Sequence, residues 1–159
     1  MLELDRMDET GPWHPKIAEL YRYWQQIHPQ SGLPGRQHMD PLEIPALLPN
    51  LWLLDVEPEP LRFRYRLVGT KLAQFFGYAI RGRYLGEATQ PHFTQQHLVH
   101  YEGVVKNRTY HYRKGPPAFA VDRPHLRVER ILLPLATDGL TVDVILALTV
   151  LTDGQGREM

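Results

Sequence analysis

The chain has 159 residues, of which 43% are apolar and 23% are charged, and 18 Lys and Arg balance 18 Asp and Glu. This composition indicates one globular domain with a buried core, and the lack of net charge argues against nucleic acid or an anionic membrane as a partner. Because cysteine is absent, disulfides, thiolate metal sites, iron–sulfur clusters and cysteine nucleophiles are excluded.

Residues 1–13 are polar and contain Gly11-Pro12, which is typical of a flexible tail. They lack the basic start and the apolar run of a signal peptide. No stretch of the chain approaches the ~20 apolar residues of a membrane span. We therefore expect a cytoplasmic protein whose single domain covers residues 14–151, with a second tail at 152–159.

The stretch between Pro15 and Pro29 predicts an amphipathic helix. Its apolar residues recur at spacings of three and four, and they include two aromatic side chains that can bury a large area: Ile17, Leu20, Tyr21, Trp24 and Ile27. A sheet or another chain would have to cover this stripe.

A second, short helix is predicted after Asp40. Asp40 is a capping residue, Pro41 suits the first helical position, and Glu43 lies where a capping box places its carboxylate. Pro45 and Pro49 keep this helix short.

Two strands follow. The apolar run LWLLDV at 51–56 predicts the first, and a Glu- and Pro-rich turn at 57–60 ends it. From 62 to 67 the residue types alternate strictly, which predicts a second strand with Phe63, Tyr65 and Leu67 on one face and Arg62, Arg64 and Arg66 on the other. We interpret the arginine face as solvated or ion-paired.

The next segment predicts a short helix and a glycine-rich crossover. Leu72, Phe75 and Phe76 have helical spacing, and Gly77 ends the helix. A longer helix is expected from Pro91 to Asn107.

The end of the chain predicts three strands, at 109–113, 126–135 and 141–151, the last two joined by the turn at Asp138-Gly139. Two strands, a helical crossover and three strands predict an α+β domain: a five-stranded antiparallel sheet with helices on one face and the N-terminal amphipathic helix.

Several sequence segments resemble bacterial PAS domains of the PAS_5 subgroup. The matching segments are HPKIAELYRYW at 14–24, DPLEIPALLPNLWLLDVE at 40–57, RFRYRLVGTKLAQFFG at 62–77, RGRYLGE at 81–87 and VERILLPLATDG at 128–139. The resemblance spans residues 14–151, and it implies a five-stranded antiparallel sheet flanked by short helices. It also implies a role in signal transduction, as a sensor or as a protein interaction module.

The resemblance also implies how a signal would leave the domain. Since no kinase, cyclase or DNA-binding segment follows Leu151, we expect output through a signalling partner or through self-association. PAS domains commonly pair through a flanking helix, so we expect a homodimer or partner contact through the N-terminal stripe, by Ile17, Leu20, Tyr21 and Trp24. Whether this stripe covers its own sheet or a neighbour's is open.

A ligand cavity is expected between the sheet and the crossover helices. Its candidate lining residues are Phe63, Tyr65, Leu67, Phe75, Phe76, Tyr84 and Tyr101, with Arg130 or His97 as a polar anchor. The alternative is a structural adaptor, in which the same side chains pack as an ordinary filled core.

Cofactors are not expected. His97 and His100 share a helix face, and in some PAS sensors a histidine on the corresponding helix binds haem, but the rest of such a motif is missing and no metal site is expected. The crossover has Arg83-Tyr84-Leu85 where a thiol photoreceptor needs a cysteine, which leaves only non-covalent flavin open.

An enzyme is the last alternative. Three carboxylates on or beside predicted strands, together with two helical histidines, would suit a cone-shaped α+β acid/base enzyme: Asp55, Glu129, Asp143, His97 and His100. Strand carboxylates more often pair with neighbouring arginines, here Arg127 and Arg130. No nucleophile elbow, Walker loop or dinucleotide glycine pattern is present. We therefore expect a non-enzymatic module that binds a small ligand or a protein partner.

Overall fold

A computed structural model describes residues 12–77, 80–86, 95–115 and 126–159. These ranges contain three α-helices, α1 (Pro15–Gln26), α2 (Thr70–Phe76) and α3 (Gln95–Asn107), and short 3-10 helices at Arg36–His38, Pro41–Glu43 and Pro45–Asn50. They also contain the strands β1 (Leu51–Glu57), β2 (Arg62–Val68), β3 (His111–Gly115), β4 (Arg127–Leu135) and β5 (Val144–Thr152). None of the helices in these ranges is long and apolar enough to cross a membrane.

The five strands form one antiparallel sheet in the order β2-β1-β5-β4-β3. This confirms the predicted α+β fold class and both hairpins. Side chains alternate across the sheet, so Leu53, Ile131 and Leu146 lie on one face, here called the α1 face. Trp52, Leu132 and Ile145 lie on the other, here called the α3 face. Both faces are covered, because helices pack on each.

Helix α1 covers its own sheet. His14 Nδ1 accepts a hydrogen bond from the Lys16 backbone N–H at 3.1 Å and caps the helix, which begins at Pro15 as expected. The predicted apolar stripe faces the sheet and is almost fully buried there: Ile17, Leu20, Tyr21 and Trp24. In this structure α1 therefore packs on the sheet of its own chain.

This burial corrects the residues named for the partner contact, whereas a contact through another face of α1 stays a prediction. The four stripe residues lie inside the chain's own core, so they are not available to a second chain in this structure. The face of α1 that stays exposed is polar, and it carries Glu19, Arg22, Gln25 and Gln26.

The α3 face packs against α2, α3 and the described part of the crossover. The crossover runs beside β2: Gly82 N–H donates to the Tyr65 carbonyl at 2.7 Å, and Tyr65 N–H donates to the Arg83 carbonyl at 2.8 Å. Leu85 N–H donates to the Phe63 carbonyl at 2.7 Å. These bonds cover an edge of the sheet that would otherwise present unpaired backbone groups.

A β-bulge breaks the predicted alternation of β2. Leu53 pairs with Leu67 but Leu54 pairs with Tyr65, so Arg66 is an extra residue and the faces exchange after it. Leu67 is 41% exposed as a result, and the prediction that it lines a cavity is wrong.

The arginines of β2 are ion-paired and exposed, which confirms their interpretation. Arg62 and Arg64 lie 3.1 and 3.9 Å from Glu57 carboxylate oxygens, and Arg66 lies 3.4 Å from Asp55. Exposed pairs of this kind contribute little to stability, typically ~0–1 kcal/mol each.

The folded domain extends into both segments that were predicted to be tails, in the part of each that the structure describes. Trp13 is buried and its ring stacks on Tyr112 at 4.8 Å between centroids, so the domain begins before His14. At the other end Glu158 forms a β-bridge with Thr152, and Met159 N–H donates to the Leu151 carbonyl at 2.9 Å. The C-terminal residues thus turn back onto β5 instead of fraying.

The predicted capping box is only half formed. Asp40 Oδ1 accepts from the Leu42 backbone N–H at 3.0 Å, as expected of the cap. The Glu43 carboxylate instead accepts from the Tyr23 hydroxyl at 2.8 Å, and that hydroxyl accepts from the Asp40 N–H at 2.8 Å. A side chain of α1 therefore takes the place of the local partner.

Candidate ligand site

Aromatic side chains meet at the centre of the α3 face. The Trp52 ring lies 5.9 Å from Tyr65 and 6.3 Å from Tyr101, and Phe63 lies 5.8 Å from Tyr101, measured between centroids. Trp52 Nε1–H donates to Thr149 Oγ1 at 2.9 Å, which satisfies its buried polar atom. Three predicted lining residues, Phe63, Tyr65 and Tyr101, are thus brought together.

Arg130 lies beside this aromatic group. On β4 the even-numbered residues point to the α3 face, so Arg130 is carried into the interior and is only 7% exposed. Its Nη2–H donates to His111 Nδ1 at 2.8 Å, and Nη1–H makes a long bond of 3.4 Å to the Tyr101 hydroxyl. The guanidinium carbon lies 5.2 Å from the Tyr101 ring centroid, within the range of a cation–π contact.

The charge of Arg130 has no counter-ion in the described part of the chain. No Asp or Glu there forms an ion pair with it, and its buried Nε–H has no hydrogen-bond partner. An arginine keeps its proton in a protein, so this side chain stays charged. Burying such a charge without a counter-ion costs on the order of several kcal/mol.

A second guanidinium group lies across from it. Arg113 on β3 pairs directly with Arg130 on β4, so both side chains leave the same face of the sheet. Burial lowers the pKa of the half-buried Arg113 side chain, and the charge of Arg130 lowers it further. Like charges directly opposite on a sheet are destabilising.

His111 is a neutral neighbour of these arginines. A guanidinium group only donates hydrogen bonds, so His111 Nδ1 must accept and the ring proton must sit on Nε2. Burial lowers the pKa of His111 to about 4, and the nearby charges of Arg130, His100 and Arg113 act in the same direction. Its ring stacks on His100 of α3 at 4.2 Å.

We call these residues the Arg130 cluster: Arg130, Arg113, His111, His100 and Tyr101. Arg130 and Tyr101 are buried, whereas the other three are half-buried, so the cluster runs from the interior to the surface. Lowered pKa values such as those of His111 and Arg113 are a mark of functional sites.

Tyr84, another predicted lining residue, lies elsewhere. Tyr84 is on the outer side of β2: its hydroxyl donates to the Glu57 carboxylate at 2.9 Å, and Arg62 lies 4.4 Å above its ring. The prediction that Tyr84 lines the cavity is therefore wrong. Phe75 is half-buried on α2. The side chains of Phe76 and His97 lie outside the described residues.

Among the described side chains, three of the proposed acid/base residues, Glu129, Asp143 and His100, are not brought together. Glu129 points to the α1 face, where its carboxylate accepts from the His14 backbone N–H at 2.6 Å. Asp143 precedes β5 and accepts from the Thr137 hydroxyl at 2.6 Å. His100 lies on the other side of the sheet from Glu129. Nor do the described side chains gather three His, Asp or Glu groups that would hold a metal ion.

A groove on the α1 face was not foreseen from the sequence. It encloses about 780 Å³ near the start of α1, and its walls come from segments far apart in the chain: Pro12, Trp13, His14, Pro15, Lys114, Arg127, Glu129, Thr152, Asp153, Gly154 and Gly156. It is open and of mixed charge, and the sheet separates it from the Arg130 cluster.

Arg113 and His111 were not among the predicted site residues. Both lie in the stretch 109–113, which the sequence predicts to be a strand. Their proximity to Arg130 depends on the register of β3 against β4, and the connection between these strands contains no short-turn signal that would set this register.

The sheet order and the helices packed on the α3 face define the class of fold as that of a PAS domain. The PAS_5 family model, described as a PAS domain, matches residues 13–150, and the chain belongs to this family. No protein of curated function matches the sequence. Family membership indicates a sensory or regulatory module.

Proposed function

We propose that this PAS domain binds a small molecule between α3 and the sheet, and that binding changes its association with a protein partner or with a second copy. The observation that carries the proposal is Arg130, a buried charge that has only neutral partners in the described residues and an unused donor. A filled structural core would gain nothing from such a charge, because an apolar side chain of similar volume is usually as stable or more stable.

The position of the cluster suggests how the signal would be transmitted. His100 and Tyr101 belong to α3, so a ligand that contacts them favours one packing of this helix over another. Val99 stands next to them on α3 with 60% of its surface exposed. A shift of α3 would therefore change an apolar position on the protein surface.

The proposed module is cytoplasmic and non-enzymatic. Its homodimer or partner contact would use the exposed polar face of α1 or the outer face of α3, since the α1 stripe is occupied. The structural adaptor is the competing function, and the close aromatic contacts of Trp52, Phe63, Tyr65 and Tyr101 favour it.

Amide NMR spectra of the protein with a diverse set of small molecules test the proposal. At least one compound should shift amide signals of α3, β3 and β4 while leaving α1 unchanged, and should alter the mass measured by light scattering or capture of a partner. The adaptor would be favoured if no compound shifted α3, or if ligands bound only in the groove on the α1 face.

A further inference from the structure

We infer that the small molecule bound by this site is an organic carboxylate, whose carboxylate group lies against Arg130 and Arg113 and whose carbon skeleton lies on Tyr101. The inference rests on the proposed function and names the class of ligand.

The unused donor of Arg130 points to an anion. Two N–H groups of Arg130 reach His111 and Tyr101, but the buried Nε–H meets no acceptor in the described residues. Arg113 stands directly opposite on the neighbouring strand, at the ~5 Å Cα separation usual for such pairs. An anionic group placed between them would give Nε–H an acceptor and offset a charge that is otherwise uncompensated.

The surroundings favour a carboxylate over a phosphate. The guanidinium fork fits the two oxygens of a carboxylate in a plane. Around it stand Val128 and Leu132, which share its face of β4, and the Tyr101 ring. A singly charged ligand with apolar carbons loses less hydration here than a multiply charged phosphate does. The half-buried Arg113, His111 and His100 give access from the surface.

Binding would also be felt by His111. Its ring is faced by Arg130 from β4, by Arg113 from β3 and by His100 from α3, and the positive charges of these groups disfavour its protonation. A bound carboxylate offsets the positive charge of Arg130, so the pKa of His111 should rise when the site is filled. This response is specific to an anion in the cluster, because binding elsewhere would not alter it.

The test compares acetate, benzoate, phosphate and chloride at matched ionic strength by calorimetry and thermal shift. Wild-type protein should bind benzoate most tightly, and Arg130→Met should weaken binding at least tenfold. Methionine keeps the unbranched stem of the side chain and removes a buried charge, so this variant should be as stable as the wild type or more stable. Arg64→Met, on the exposed face of β2, is the matched control and should bind as the wild type does.

The NMR titration of His111 gives the second readout, and benzoate should raise its pKa in the wild type but not in Arg130→Met. Equal binding of benzoate by both proteins, an unmoved His111 titration, or tighter binding of phosphate would overturn the inference. If neutral compounds shift α3 and carboxylates do not, the inference fails while the proposed function stands. If no compound of any charge shifts α3, both fail.

Discussion

The attachment of α1 to its own sheet can be tested by replacing Trp24 with phenylalanine. Trp24 is buried, and its indole N–H donates to the Pro134 carbonyl of β4 at 3.0 Å. β3 pairs with β4 only as far as Leu132, so a residue without a backbone N–H is tolerated at Pro134. The indole thus links α1 to the sheet beyond the last bridge of β3.

The expected loss has two parts. Removing the donor from a buried carbonyl costs ~1–3 kcal/mol, and the smaller ring loses ~1 kcal/mol of packing. The free energy of unfolding should therefore fall by about 2–4 kcal/mol, which corresponds to a decrease of roughly 5–10 °C in Tm for a chain of this size.

Urea denaturation followed by circular dichroism measures this change, and Arg22→Ala, on the exposed face of the same helix, serves as the control. The control should stay within ~0.5 kcal/mol of the wild type. The reasoning is refuted if both variants unfold alike.

Three further predictions concern pH and backbone space. His111 has a pKa of about 4 in the folded chain against 6.5 in the unfolded one, so the unfolded chain takes up a proton first as pH drops from 6.5 to below 4. Stability should fall over this range by ~1–2 kcal/mol, because solvent reaches the half-buried ring and screens its charge. In His111→Gln this slope should disappear from pH-dependent denaturation curves. Burial alone would raise the pKa of Glu158, but two lysine ammonium groups within 2.8 Å lower it overall. Glu158→Gln should therefore lower the free energy of unfolding by ~1 kcal/mol at neutral pH, and by little once the carboxylate is protonated in acid. The control Glu102→Gln should leave the stability unchanged at both pH values, because the ion pair of Glu102 is long and exposed. Gly69→Ala should lower the free energy of unfolding by several kcal/mol, as overpacking of a core does, because a Cβ there meets backbone atoms of the 3-10 helix at Pro45–Asn50. Gly103→Ala on α3 has space for a Cβ and should raise the free energy of unfolding by ~0.5–1 kcal/mol. Thermal melts of the two variants measure both changes.

The helix α1 and the two hairpins could be predicted from the sequence, because the pattern that signals each of them has a local physical cause. The stripe of α1 follows the helical period, and the two hairpins follow from their turns, such as Asp138, whose side chain accepts from two backbone N–H groups of its own turn. The family resemblance agreed on a five-stranded antiparallel sheet, but the strand order β2-β1-β5-β4-β3 was not predicted, because no periodicity contains it.

The errors arose where a distant contact decides the outcome. The alternation of β2 predicted that Leu67 is buried, but the bulge at Arg66 turns it outward, and nothing in RFRYRLV signals an extra residue. Tyr84 was expected inside because it is aromatic, yet Glu57 of β1 offers a carboxylate to its hydroxyl and Arg62 of β2 offers a guanidinium to its ring.

Only part of the candidate site could be predicted from the sequence. Arg130 and Tyr101 were identified because a charge amid apolar strand residues and an aromatic residue on a helix face are visible in sequence. Arg113 was not, since its partner depends on the register of a non-local strand pair. The consequence of that pairing, two guanidinium groups opposite each other, is what distinguishes the site from an ordinary core.

The most direct measurement of whether the α3 face holds an organic anion is the mass of the purified protein under native conditions and again after denaturation. We predict an excess mass that is lost on denaturation, that fragments as an organic acid, and that Arg130→Met does not carry. Wild type and Arg130→Met carrying the same neutral molecule would contradict the account, as would wild type that carries nothing and binds no organic acid on titration.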